Sequence, residues 1–137
     1  QESKLVEFLD YLENENTKPK TILYLLLYSG MRIGEVTALE WTDIDITNKT
    51  ITINKSHQRV SGLGIMEKGP KTEKSNREIY VPQICIDYLL EYKKYQDNDI
   101  SNLKNLWHKT ITLYDENLKP FKKANKKIFT QEFAMFF

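Results

Sequence analysis

The sequence predicts an α+β fold, mainly helical with a small three-stranded antiparallel sheet. Three observations carry this. Apolar residues recur at helical spacing near the N-terminus and again after Pro82. The β-branched run Thr50-Ile51-Thr52-Ile53 alternates at the period of a strand, and glycines 62, 64 and 69 punctuate the next segment. The chain has 137 residues, 40% apolar and 12% aromatic, which suits one domain, or part of one, and excludes a disordered chain. No apolar run approaches the roughly 18 residues of a membrane span. Gln1-Glu2-Ser3-Lys4 does not open like a signal peptide, so the expected compartment is cytoplasmic. A single cysteine, Cys85, and two histidines, His57 and His108, give no disulfide and no expected metal site. No cofactor is expected.

The first helix is expected over about residues 4–13, where Leu5, Phe8, Leu9 and Leu12 form one stripe behind Ser3 as N-cap. A second begins near Pro19, with Thr17 as cap, and runs to Tyr28. It is apolar almost all round and therefore expected to be buried. Gly30 ends it in a left-handed turn. A short third helix over 33–39 leaves Arg32 at the junction. Asn48-Lys49 is a turn between alternating stretches at 41–46 and 50–54. Further strands near 65–67 and 78–81 complete the predicted sheet, with 68–76 as an exposed, basic hairpin tip. Pro82 opens a fourth helix to about Gln96, with Ile84, Tyr88, Leu89 and Tyr92 on one face, and 97–105 reads as loop. Ile111, Leu113 and Tyr114 suit a short strand before a turn at Asp115-Glu116-Asn117, and 119–127 reads as basic and exposed. Thr130 caps a helix that has barely begun at Phe137, and Phe129, Phe133, Phe136 and Phe137 then form an uncovered apolar face. The expectation is one partial domain over 1–137, cut from a longer protein inside a helix and able to self-associate.

Net charge is +1, but it is unevenly spread. Lys55, Arg59, Lys68, Lys71, Lys74 and Arg77 cluster in one segment, and Lys119, Lys122, Lys123, Lys126 and Lys127 in another. Two basic segments point to a polyanion partner; a solvated lysine-rich surface is the competing reading.

Three motifs carry chemistry. In Ser29-Gly30-Met31-Arg32-Ile33-Gly34-Glu35 a tight turn sets an arginine at a helix start with an acid one turn on. A guanidinium fork suits phosphate, and Glu35 can hold it or share in proton chemistry. A structural Arg–Glu pair is the plainer reading. Leu39-Glu40-Trp41-Thr42-Asp43-Ile44-Asp45 by itself is a helix end running into a strand, with Trp41 as a core anchor. Pro70-Lys71-Thr72-Glu73-Lys74-Ser75-Asn76-Arg77 leads to Ile79, Val81 and Pro82, a lysine on a hairpin tip ahead of a strand.

In this order the three resemble the catalytic domain of the tyrosine recombinases, the phage-type integrases, over about residues 3–96. The resemblance implies a truncated tyrosine-recombinase catalytic domain. It implies that Arg32 binds the scissile phosphate, that Glu35 supports that arginine, and that Lys71 is the general acid for the leaving 5′-oxygen. Lys55, Arg59, Lys68, Lys74, Arg77, Lys122 and Lys123 are the expected DNA contacts. The partner would be double-stranded DNA, bound by a tetramer of the parent protein, with no metal ion. The family also needs a His-x-x-Arg box and a nucleophilic tyrosine downstream. The only arginines are Arg32, Arg59 and Arg77, and His108-Lys109-Thr110-Ile111 has isoleucine where the box needs arginine. No nucleophile is assigned, and this chain alone is expected to be inactive. The alternatives are a non-catalytic DNA-binding module and a helical protein-interaction domain.

Overall fold

The computed structural model describes residues 3–4, 6–7, 17–69, 76–103 and 110–129. Ser3, Lys4, Val6 and Glu7 are helical, within the span expected for the first helix. Helix α1 runs over Thr17–Ser29, α2 over Ile33–Ala38, and a single 3-10 turn over Trp41–Asp43. Strands β1 (Ile44–Asp45) and β2 (Thr50–Ile53) follow, then β3 (Ser56–Val60), β4 (Gly64–Lys68) and β5 (Arg77–Tyr80). Helix α3 spans Gln83–Leu103, and β6 (Thr110–Tyr114) and β7 (Pro120–Ala124) come last.

The apolar run of α1 is buried as its composition requires. Ile22, Tyr24 and Leu25 lie against α3, where Cys85, Ile86, Leu89 and Tyr92 form the facing stripe. The Tyr24 ring stacks on Tyr88 at 4.4 Å between centroids, and Thr21 Oγ1 donates to the Tyr88 carbonyl at 3.4 Å. Val36, Leu39, Ile51, Ile53 and Val81 close the same core from α2 and the sheet. Each such buried aliphatic contributes about 1.5–3 kcal/mol over its exposed state. No helix among the described residues is long and apolar enough to cross a membrane.

The expectation of a mainly helical chain with one small sheet does not hold. Seven strands among the described residues form two sheets, one ordered β1-β2-β5 and one ordered β3-β4-β6-β7. The first is a three-stranded antiparallel sheet in which β5 pairs with β2, Ile51 opposite Ile79 and Ile53 opposite Arg77, but its remaining member is β1 rather than the strand near 65–67. The strand expected near 65–67 exists as β4 and belongs to the other sheet. It pairs with β3 around a turn in which Gly62 takes φ +76°, and its free edge takes β6 in parallel through Met66 and Tyr114. The reason is visible in the inward faces. Register puts His57 beside Glu67 and Ile111 beside Lys123, so ions share the inner face with Ile65, Ile111 and Leu113. An alternation of ions with apolar residues carries no hydrophobic period, and β3 and β7 escape a pattern search.

Three smaller expectations also fail. Residues 97–103 continue α3, since no glycine or proline interrupts them and Lys93 pairs with Asp97 one turn on at 3.3 Å. The segment at 119–127 contains strand β7 and ends in a buried lysine, Lys127, 3% exposed. Phe129 is not part of an open face: it lies in the core with its ring 5.3 Å from Tyr92. Phe133, Phe136 and Phe137 lie outside the described residues.

Candidate functional site

The site begins where α1 stops. Gly30 takes φ +68°, a left-handed conformation that costs glycine nothing. Ser29 Oγ donates to the Leu25 carbonyl and accepts from the Met31 N–H at 3.1 Å, and the Met31 side chain is buried. The turn is thus pinned on both sides of the glycine. Arg32 follows in extended conformation as the N-cap of α2, and its side chain is exposed. Among the described residues its guanidinium makes no hydrogen bond or ion pair.

Glu35 is fully occupied. Its Oε1 accepts from the Arg32 backbone N–H at 3.0 Å. The same oxygen accepts from Arg77 Nη2 at 2.9 Å, while Oε2 accepts from Nη1 at 2.8 Å. This fork-on-fork contact is the strong geometry for an arginine and a carboxylate. The Arg77 hydrogen bonds hold the Glu35 carboxyl below its ordinary 4.5, outweighing burial, with the Arg32 amide adding to the effect. The contact raises Arg77 in turn. Glu35 therefore grips Arg77 and the backbone of Arg32, rather than the Arg32 guanidinium. Lys71 and Lys74 lie outside the described residues. The segment that carries them leaves from Gly69, just past β4, and re-enters at Asn76, next to Arg77.

A second polar cluster lies behind α2. Lys127 Nζ donates to the Ala38 carbonyl at 3.0 Å and to Glu67 Oε1 at 2.6 Å, and sits 3.4 Å from Glu40 Oε1. Lys123 bridges Glu40 at 2.5 Å and Glu67 at 3.0 Å. Lys55 pairs with Asp43 at 2.7 Å and lies 3.6 Å from Glu40. His57 Nε2 sits 3.0 Å from Glu67 Oε1. Three lysines thus face three carboxylates. Burial pushes the Glu67 carboxyl up, but bonds from His57 and Lys127 outweigh it and hold it far below 4.5. Burial pushes the His57 imidazole below 6.5, partly opposed by its bond to Glu67. Sequence reasoning missed Glu40, Glu67 and Lys127 as a unit, because they come from three elements far apart in the chain.

The expected DNA contacts divide accordingly. Lys55 and Lys123 are engaged in the buried network, and Arg77 on Glu35. Arg59 on β3 and Lys122 on β7 are exposed, and Lys68 on β4 is half-buried. Register puts Lys68 and Lys122 on the outward face of the four-stranded sheet.

An arginine presented by a pinned turn, with a carboxylate one helical turn on and a Lys-Thr segment ahead of a strand, is the pattern of a tyrosine recombinase. The chain belongs to that class: residues 1–102 match the phage integrase family. It is 31% identical over 107 residues to the integrase of Staphylococcus phage L54a, covering 68% of this chain and 30% of that protein. It is 29% identical over 85 residues to the tyrosine recombinase XerC-like protein of Caldanaerobacter subterraneus subsp. tengcongensis, covering 56% of this chain and 22% of that protein. The Tn1549 transposon integrase in complex with transposon right end DNA shares the fold at TM-score 0.68 and 20% identity, over 95% of this chain and 36% of that one. The chain spans about a third or less of the length of these relatives.

Proposed function

We propose that this chain is the N-terminal half of the catalytic domain of a site-specific recombinase that cuts and rejoins duplex DNA through a 3′-phosphotyrosyl intermediate. The observation that carries the reading is the exposed Arg32 guanidinium beside a Glu35 already locked by Arg77. An exposed cation that makes no hydrogen bond or ion pair among the described residues is suited to an anion brought from outside. Arg32 binds the scissile phosphate and offsets charge as the phosphorus becomes five-coordinate. A tyrosine oxygen attacks that phosphorus, the bond to the 5′-oxygen breaks, and Lys71 gives its proton to that oxygen. The second strand's 5′-hydroxyl reverses the step, so the phosphodiester energy is conserved. The tyrosine and a second arginine box are assigned to no residue of this chain, which alone carries out no recombination. The parent acts as a tetramer on DNA in the cytoplasm.

The test is a nicked suicide duplex incubated with the protein that carries these residues together with the downstream box and tyrosine. A covalent protein–DNA adduct is expected. Arg32→Ala should lower its rate about 100- to 1000-fold, the usual loss for one transition-state donor. Lys71→Ala should slow it as well, and a 5′-thiol leaving group, which needs no proton, should restore that variant. Duplex binding without any adduct would overturn the recombinase reading in favour of a DNA-binding module.

A further inference from the structure

Arg77 was expected to touch DNA, yet its guanidinium, on a side chain 42% exposed, is committed to a carboxylate of the protein itself. Its backbone is fixed by the β2–β5 ladder, where it stands opposite Ile53 at the end of the pairing. Its two terminal nitrogens take both oxygens of Glu35, at 2.8 and 2.9 Å. Glu35 Oε1 in turn holds the Arg32 amide at 3.0 Å. One carboxylate thus joins a strand of the core sheet to the first turn of α2. The same arginine is the first strand residue after the segment that carries Lys71.

We propose that Arg77 is a positioning residue of the recombination site: it holds the Glu35 carboxylate, and through it the first turn of α2, in the orientation that presents Arg32 to the scissile phosphate. This rests on the recombinase reading above. The chemistry favours a positioning role over a DNA contact. A guanidinium whose fork is already filled by a carboxylate offers a phosphate only its remaining N–H and a neutralised charge. A lysine cannot reproduce the contact, since an ammonium is a point donor and cannot span both oxygens in one plane. Without Arg77, Glu35 keeps only the Arg32 amide, and the first turn of α2 loses its side-chain tie to β5. A shift of about 1 Å in a positioned group is worth about 100-fold in rate.

The experiment has two readouts. On this chain, Glu35 is titrated through its side-chain carboxyl carbon by NMR, in the wild type and in Arg77→Ala and Arg77→Lys. The wild-type midpoint should lie below the ordinary carboxyl value, and both variants should move it upward, Ala further than Lys. On the protein with the downstream box and tyrosine, the suicide-duplex rate is followed against pH. Both variants should slow adduct formation, Ala about 100-fold, and shift the acid limb of the profile upward, with affinity for intact duplex unchanged. If the wild type forms no adduct, the recombinase reading fails whatever Arg77 does. If the wild type forms adduct and the variants keep its rate and acid limb, positioning by Arg77 is wrong. A variant that loses duplex affinity with the titration of Glu35 unmoved would make Arg77 a DNA contact and equally overturn the proposal. Amide spectra of Arg77→Lys, which keeps the charge and most of the volume, separate these outcomes from unfolding.

Discussion

Glu35 carries three donors on two oxygens, and that saturation explains how a short helix of six residues holds its start. The other fixed point of α2 is Gly34. A methyl group there would stand 2.7 Å from the carbonyl oxygen of His57, which is backbone and cannot turn away. Gly34→Ala should therefore cost about 1–3 kcal/mol, the usual penalty of overpacking, and lower the melting temperature. An unchanged melting curve would mean that α2 and β3 are not in contact in solution. At this scale the sequence was partly readable. Gly30, Arg32 and Glu35 stand in a turn whose logic is local, so their placement followed from order alone. The partner of Glu35 was not readable, because Arg77 reaches it across 42 positions through strand pairing.

The second sheet is held to the rest in part by charge. Among the described residues its own apolar cluster holds Ile65, Ile111 and Leu113, with Phe121 at the side, and Glu67, Lys123 and Lys127 tie it to Glu40 behind α2. Glu67→Gln leaves Lys127 poorly matched in a site where that side chain is 2% exposed. The loss should be about 3–5 kcal/mol at neutral pH in urea denaturation, as for other broken buried pairs. The pH dependence has a definite sign. The folded Glu67 carboxyl lies far below 4.5, so its contribution is complete above that value and is lost as pH falls. The His57 imidazole lies below 6.5 in the fold, so below that value the unfolded chain takes up a proton first and stability falls too. Stability should decline from about pH 6.5 downward and more steeply below about 4.5, and Glu67→Gln should flatten the steeper part. A flat profile across that range would show that the network is not formed in solution. The sheet escaped the sequence reading for the same reason. Helices α1 and α3 bury apolar stripes and announce themselves, while β3 and β7 bury ions.

For the molecule as a whole, the net charge of +1 hides which of the expected cations are free to meet DNA. Of the expected DNA contacts Lys55, Lys123 and Arg77 are internally paired, which leaves Arg59, Lys122 and in part Lys68 among the described residues, beside Arg32 and other exposed lysines such as Lys49, Lys94, Lys119 and Lys126. If these meet duplex, Arg59→Ala and Lys122→Ala should each reduce the slope of log affinity against log salt by about 0.9. Lys55→Gln should leave it unchanged, and slopes measured by fluorescence anisotropy decide between the two sets. The family could be read from two composite motifs in order. The share of basic residues facing solvent could not, since charge in a sequence carries no sign of whether it is already neutralised.

The burial of Ile128 and Phe129 has a consequence for how the protein is made. These two residues are the last described ones, and both are 1% exposed or less within a core otherwise assembled from residues 22 to 92. The Ile128 amide donates to the Leu39 carbonyl at 3.1 Å, and Gln96 holds the carbonyls of Lys127 and Ile128 while accepting from the Trp41 indole. On the ribosome, where synthesis runs at about 5–20 residues per second, the helices and the first sheet emerge well before this clasp. Until it arrives, the Tyr92 and Leu39 side of the core stands open to water and to other nascent chains. The order of translation thus puts the closing of this part of the core after the birth of α3, and leaves it exposed to chaperones until Phe129 arrives.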